Sequence, residues 1–262
     1  MNVLVHKTKV LIADTLCHPA VGTLLGRLFK NRIPNRGCVI DVNDRAVTAS
    51  IKASLFFGFY ESAEIRFIQR YLPRDLDVVE LGASLGVVSA HIGRRLEPGR
   101  RLVCVEANAD LLPALERNVR ANAKDVDLIA LHGAIDYASR AEEVAFSKAE
   151  HNIDSRLARE GEASTSVSVP RITVSELLER YRIEDYALVS DIEGAEAGLI
   201  ECDKSALTRC RLIIAELHAT RFQGCDLAVR DLVKQLEGQG FAVMDQYGPV
   251  CVFAPARGAR IT

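Results

Sequence analysis

At 262 residues, with 48% hydrophobic and 26% charged side chains, the chain is long enough for one large α/β domain with a substantial core. A net charge of −2, with both signs interspersed, argues against the broad basic surface that binds nucleic acid. The seven cysteines (Cys17, Cys38, Cys104, Cys202, Cys210, Cys225 and Cys251) include no C-x-x-C pair, and they read as free thiols of a cytoplasmic protein rather than a zinc site or disulfide framework.

No signal peptide is visible, and the apolar segment from Val10 to Phe29 is broken by Asp14, His18, Pro19 and Arg27, so no membrane span is expected. Leu24, Leu25, Leu28 and Phe29 suggest a helix that ends near Pro34-Asn35-Arg36-Gly37. Cys38–Val42 and Ala46–Ile51, flanking Asn43-Asp44-Arg45, predict a β-hairpin. Ser54–Tyr60 is aromatic-rich and reads as a lid or a wall of a site mouth. Glu61–Tyr71 has helical spacing and stops before Pro73.

From there strands and helices alternate, the signature of a parallel sheet. Strands are expected at Asp77–Leu81, Arg101–Glu106, Val126–Ala134, Tyr186–Asp191 and Leu212–Leu217. Helices are expected at Val87–Leu96, Ala109–Ala121, Thr173–Tyr181 and Asp226–Gln239. Residues 135–170 break the rhythm with short strand candidates at Glu143–Phe146 and Ser166–Val169, an insertion long enough to shape a substrate site. Phe241–Gln246 and Val250–Ala254, joined near Tyr247-Gly248-Pro249, read as a closing antiparallel pair.

The chemistry concentrates at the ends of the expected strands. Val78, Val79 and Leu81 run into Gly82-Ala83-Ser84-Leu85-Gly86, a strand, tight turn and helix start of the kind that builds a ligand crevice. A dinucleotide fingerprint fails because Ser84 stands where its second glycine belongs, and a P-loop fails because no Lys-Ser or Lys-Thr pair follows Gly86. The pattern from Glu80 to Gly86 instead resembles the first motif of class I S-adenosylmethionine (SAM) methyltransferases. Glu106, some two dozen positions after the turn, suits both hydroxyls of a ribose. In such a fold the loop after the third strand flanks the adenine, which nominates Asp136, with Ala134 offering backbone contacts.

Strand four leads into Asp191-Ile192-Glu193-Gly194-Ala195-Glu196, and strand five ends Glu216-Leu217-His218. Carboxylates this dense must be solvated, paired or bound. Asp191 can orient an acceptor hydroxyl or take its proton, whereas Glu193 and Glu196 can cap the next helix. A divalent ion bound by this block is an alternative reading, but its octahedral ligand set is not evident in the sequence, so capping and orientation rank above it and no metal ligand is assigned. His218 is the other candidate general base, because an ordinary imidazole titrates near neutral pH.

In order, Phe59-Tyr60-Glu61, the block from Val79 to Gly86, Val105-Glu106-Ala107-Asn108, the block from Asp191 to Glu196, and Glu216-Leu217-His218 resemble the FkbM family of SAM-dependent methyltransferases. The likeness spans roughly 59–254, and its most specific part is the D-x-E-G-x-E block. The family usually carries Asp at Glu80 and Asn at Ser84. The resemblance implies a class I (Rossmann-like) fold with a seven-stranded, mostly parallel sheet whose last strand is antiparallel. It divides the chain into an N-terminal helix and hairpin at 1–58 and a methyltransferase domain at 59–257.

It further implies SAM as cofactor and O-methylation of a sugar, polysaccharide or glycosylated metabolite. Gly82 and its neighbours Ala83, Ser84 and Gly86 would hold the methionine portion, Glu80 its ammonium, Glu106 the ribose and Asp136 the adenine. Glu61, Ala107, Asn108, Ala134 and Asp191 complete the expected cofactor contacts, and Tyr60, Glu193 and Glu196 face the acceptor. Asp191 or His218 would serve as base. No Asn/Asp-Pro-Pro-Tyr block follows strand four, which argues against an amino acceptor. Two readings of another class stay open: a SAM-binding or interaction module without catalysis, and a SAM-independent scaffold.

Overall fold

The computed structural model describes residues 15–139, 141–147, 156–157 and 166–256. Residues 10–14 of the Val10–Phe29 segment, much of the polar stretch within 135–170 and residue 257 lie outside them.

Strands β3 (Asp77–Leu81), β4 (Arg101–Glu106), β5 (Asp127–His132), β10 (Tyr186–Ser190), β11 (Cys210–Glu216), β14 (Phe241–Tyr247) and β15 (Val250–Pro255) form one sheet in the order β14-β15-β11-β10-β3-β4-β5. The pairings β5-β4, β4-β3, β3-β10 and β10-β11 are parallel, and β15 is antiparallel to both neighbours. The expected sheet, with its antiparallel last strand, is therefore what the chain builds.

The inner strands are apolar because both faces are covered. Val79, Leu81, Val103, Val105 and Leu188 belong to one core, and Val78, Leu102, Cys104, Ala187 and Val189 to the other. That is the two-residue alternation of a strand read out in space. Helices α3 (Ser62–Tyr71), α4 (Val87–Arg95) and α5 (Leu112–Asn122) cover the second face through Phe67, Ile68, Ile92, Leu115 and Val119. Helices α6 (Val174–Arg180), α7 (Glu196–Cys202), α8 (Lys204–Thr208) and α9 (Val229–Gly238) cover the first through Leu177, Leu199, Leu207 and Leu232. The strand order reverses between β3 and β10, so the carboxyl ends of these two strands flank the crevice of the sheet.

Several local expectations needed correction. The N-terminal hairpin is β1 (Arg32–Asn35) with β2 (Cys38–Asp41), not Cys38–Val42 with Ala46–Ile51. Its two turn residues, Arg36 and Gly37, both have positive φ (42° and 94°), as the tight turn matching strand twist requires. Ala46–Ile51 instead leads into helix α2 (Ala49–Phe57), started by the Thr48 side chain accepting from the Ile51 amide (3.3 Å) and stopped at left-handed Gly58. The N-terminal helix α1 (Pro19–Leu28) ends before that hairpin. The third strand stops at His132 and, after Gly133, where a Cβ would meet Ile172 Cδ1 at 2.2 Å, the chain resumes as β6 (Ala134–Ile135) in a second sheet. There it joins β7 (Glu143–Ser147), β8 (Arg156–Leu157) and β9 (Ser166–Ile172) in the order β6-β9-β7-β8. Helix α9 begins only at Val229, since the residues before it form a small hairpin of β12 (Thr220–Phe222) and β13 (Cys225–Leu227) around Gln223-Gly224.

The first hairpin is fastened to α4 by His91, which is 4% exposed. Its Nε2 lies 2.8 Å from Asn35 Oδ1 and its Nδ1 3.5 Å from Cys38 Sγ, an arrangement that suits neutral imidazole. Burial pushes its pKa from 6.5 down to about 4. Below pH 6.5 the unfolded chain takes up a proton that the folded chain refuses until about pH 4, so this residue costs stability as pH falls through that window. The loss is roughly 3 kcal/mol at 1.36 kcal/mol per pKa unit. Urea unfolding between pH 7 and 4 checks this: His91→Gln should flatten the pH slope relative to the wild type, and parallel slopes would remove the assignment.

Candidate active site

The turn after β3 is held by two amides. The Gly82 and Ala83 N–H groups both donate to the Val105 carbonyl, at 3.0 and 3.1 Å. Gly82 has φ 80°, and a Cβ there would stand 1.9 Å from the Asp191 carbonyl oxygen, so no side chain fits between the ends of β3 and β10. Gly86 (φ 78°) lets α4 approach α5, where a Cβ would meet Leu115 Cα at 2.8 Å. Ser84 is left-handed at φ 47°, a conformation that Asn adopts more readily than Ser.

Glu106, buried at the end of β4, accepts from the Ser84 N–H through Oε2 (2.8 Å) and from the Asn108 N–H through Oε1 (2.7 Å). It thus ties the glycine turn to the loop after β4. Burial raises its pKa while those amides pull the other way. Beside it lies a pocket walled by the mostly apolar Val105, Ala107, Gly133, Ala134, Ile135 and Phe146 and closed by Gly82, Asp191 and Ile192. The sequence does not single out Phe146, which sits in the irregular insertion, and β7 alone delivers it here. Asp136 is not among the residues of this pocket. Its carboxylate accepts from the Ala138 and Ser139 amides (3.1 and 2.9 Å) at the edge of a broader cavity.

On the other side of Gly82, a second pocket is lined by Tyr60, Glu61, Glu64, Glu80, Ser84, Ser190 and Asp191. Gly82 and Asp191 border both pockets, so the two form one cleft across the glycine turn. Glu80 is 2% exposed, with Cys104 Sγ 3.1 Å from its Oε2, and burial pushes its carboxyl up to about 7. Glu61 is raised well above its ordinary value by burial and by the neighbouring Glu64, Asp191 and Glu216. Burial raises the Glu64 carboxyl to about 7, whereas His218 holds the neighbouring Glu216 carboxyl below its ordinary value. The place of Glu64 three residues after Glu61 on the face of α3 was legible as spacing but carried no motif. Carboxylates crowded in this way call for a cation, and a positively charged ligand meets that need.

The carboxyl ends of β10 and β11 converge on His218. Its Nδ1 lies 3.5 Å from Glu196 Oε1, and its Nε2 lies 3.5 Å from Glu216 Oε1, 3.6 Å from Glu193 Oε2 and 4.0 Å from Asp191 Oδ1. Glu196 and Glu216 hold the proton on the ring and push its pKa up to about 11. The nomination of His218 as base assumed an ordinary imidazole; among these carboxylates it is an imidazolium at neutral pH. Asp191, by contrast, is pushed up to about 7, first by burial and then by Glu216. Glu196 is buried and accepts from the Ile192 and Gly194 amides (3.0 and 2.8 Å), so it caps the turn before α7 rather than meeting an acceptor directly. Glu193 lines the broad cavity beyond the cleft, about 1120 Å³, with Tyr137, Ser139, Glu143, Thr220 and Phe222.

The chain matches the family model described as Methyltransferase FkbM domain over residues 81–247. No curated protein matches it. Among solved structures it is similar to a ribosomal protein L11 methylase of Lactobacillus delbrueckii subsp. bulgaricus (10% identity, 74% of this chain and 76% of that one, TM-score 0.41). It is also similar to Sp1610 of Streptococcus pneumoniae in complex with S-adenosyl-L-methionine (10% identity, 73% and 72%, TM-score 0.42). A further likeness is to the N-terminal domain of EvdMO1 with SAH bound (14% identity, 74% and 81%, TM-score 0.43).

Proposed function

Because the chain belongs to the FkbM family of SAM-dependent methyltransferases, we propose that it methylates a hydroxyl oxygen of a sugar or glycosylated metabolite. The observation that carries this reading is the place of Asp191: it borders both halves of the cleft, and the acidic cluster it belongs to opens through Glu193 onto the broad cavity. The cleft fits the cofactor. Gly82 lines both halves of the cleft, and Glu61, Glu64 and Glu80, whose carboxyls burial holds above their ordinary values, ionise against an ammonium and a sulfonium.

In this reading Glu80 and its neighbours hold the ammonium end, Glu106 receives the ribose hydroxyls, and Ala134, Ile135 and Phe146 enclose the adenine. When bound, SAM supplies a methyl group on a positively charged sulfur. The chain aligns the acceptor oxygen with that methyl, which is where much of the acceleration arises. As the oxygen–carbon bond forms and the carbon–sulfur bond breaks, Asp191 takes the hydroxyl proton, its pKa of about 7 matching neutral operation. His218 orients the carboxylates rather than accepting that proton. Hydroxyl and carboxylate groups beside Tyr137 and Phe222 suit a polyhydroxylated ring, which is hydrogen-bonded at its edge and stacked on its face. The proposed unit spans 59–257, with 1–58 as an extension, and the proposed location is the cytoplasm. Among the described residues no helix is long and apolar enough to cross a membrane.

The test is calorimetric titration with SAM, followed by an acceptor screen among sugars and glycolipids with labelled methyl. Asp191→Asn should lower turnover by about 10²-fold or more while SAM affinity changes only a few-fold. Undiminished turnover in that variant would take Asp191 out of the proton transfer.

A further inference from the structure

One ligand atom each from Asp191, Glu196 and His218 lies within 4.8 Å of the other two, on two segments, the turn after β10 and the end of β11, that the sheet brings together. Asp191 Oδ1 and His218 Nδ1 are both shut off from solvent, and neither has a hydrogen-bond partner at good geometry, the group nearest Nδ1 being Glu196 at 3.5 Å. Glu196 Oε1, 3.5 Å from that same Nδ1, belongs to a side chain only 2% exposed and fixed by the Ile192 and Gly194 amides. The other ring nitrogen, Nε2, faces Glu216 Oε1 at 3.5 Å, with Glu193 Oε2 at 3.6 Å and Asp191 Oδ1 at 4.0 Å. A carboxylate behind the second ring nitrogen is the arrangement that orients metal-bound histidines.

We propose that Asp191, Glu196 and His218 bind a divalent first-row cation such as Mn²⁺ at the mouth of the cleft, with Glu216 orienting the imidazole. One imidazole with two carboxylates suits such an ion, whereas Ca²⁺ favours an all-oxygen cage of more ligands. Binding at Nδ1 exchanges the ring's extra proton for the ion. Glu193, which also lines the broad cavity, marks the side from which an acceptor oxygen reaches the remaining coordination positions. An oxygen held there ionises on the cation and its proton leaves to water, so Asp191 acts as a ligand in the loaded enzyme and as base only without the ion. The use of the site rests on the proposed O-methyl transfer; its existence does not.

The experiment is titration of the purified full chain with Mn²⁺, the free ion being read from its paramagnetic resonance signal, with calorimetric SAM titration of the same samples. One ion per chain is expected, bound at least about tenfold more weakly by His218→Ala and by Glu216→Gln. Glu237→Gln on the exposed side of α9 should leave the affinity unchanged. Lack of stoichiometric binding below about 1 mM, or equal affinity in the wild type and both cluster variants, overturns the site. SAM binding without Mn²⁺ binding overturns the ion site alone, and Mn²⁺ binding without SAM binding supports the ion site while removing the methyl-transfer reading.

Discussion

Glu106→Ala is expected to weaken SAM binding by at least about a hundredfold. Two ribose hydroxyls donating to a carboxylate are charge-assisted bonds of roughly 1.5–3 kcal/mol each, and every 1.4 kcal/mol is a factor of ten. The same carboxylate accepts the Ser84 and Asn108 amides, so its removal also releases the glycine turn from the loop after β4. Glu106→Gln separates the two contributions: it keeps an acceptor oxygen and the side-chain volume, and should fall between the wild type and the alanine variant. Calorimetric titration with SAM and with its demethylated product reads the effect directly. Wild-type affinity in Glu106→Ala would remove this residue from the site, and with it the placement of the ribose.

Gly82→Ala should be nearly as damaging, for a steric reason. The new Cβ would stand 1.9 Å from the Asp191 carbonyl oxygen, a backbone atom that cannot swing aside, and alanine would also have to adopt φ 80°. Relief requires β3 and β10 to separate at the carboxyl ends that flank the cleft, so both stability and SAM affinity are lost. About 3 kcal/mol of destabilisation is expected, a fall of roughly 6–12 °C in Tm for a domain of this size. Gly99 provides the control. It has the same φ of 80°, but nothing lies within 4 Å of the Cβ that alanine would add there, so Gly99→Ala carries backbone strain alone. Equal Tm losses in the two variants would show that strain, not the close approach of Asp191, sets the effect.

The parts of the molecule that the amino-acid order declared plainly are those governed by local rules. Apolar runs such as Asp77–Leu81 and Arg101–Glu106 became central strands with those bounds, because a strand covered on both faces has no polar alternative. The glycine turn and the acidic strand ends were legible because their chemistry is tied to short spacings. The hairpin error arose where β-branched Val47, Thr48 and Ile51 imitated a strand. Thr48 caps a helix instead, and Arg36-Gly37 supplied the turn.

What the sequence alone determined here is the sheet, the family and the residues at the strand ends, since each follows from periodicity or from a motif a few residues long. Only the tertiary structure decided how those ends meet. Phe146 reaches the pocket beside Glu106 across a second sheet, and Glu64 reaches Glu216 from a helix. His218 changes from the neutral base its residue type suggests into an imidazolium because Glu196, from the turn after β10, closes on it opposite its sequence neighbour Glu216. Proton affinity depends on the distance and burial of groups remote in sequence, and only the folded chain brings them together.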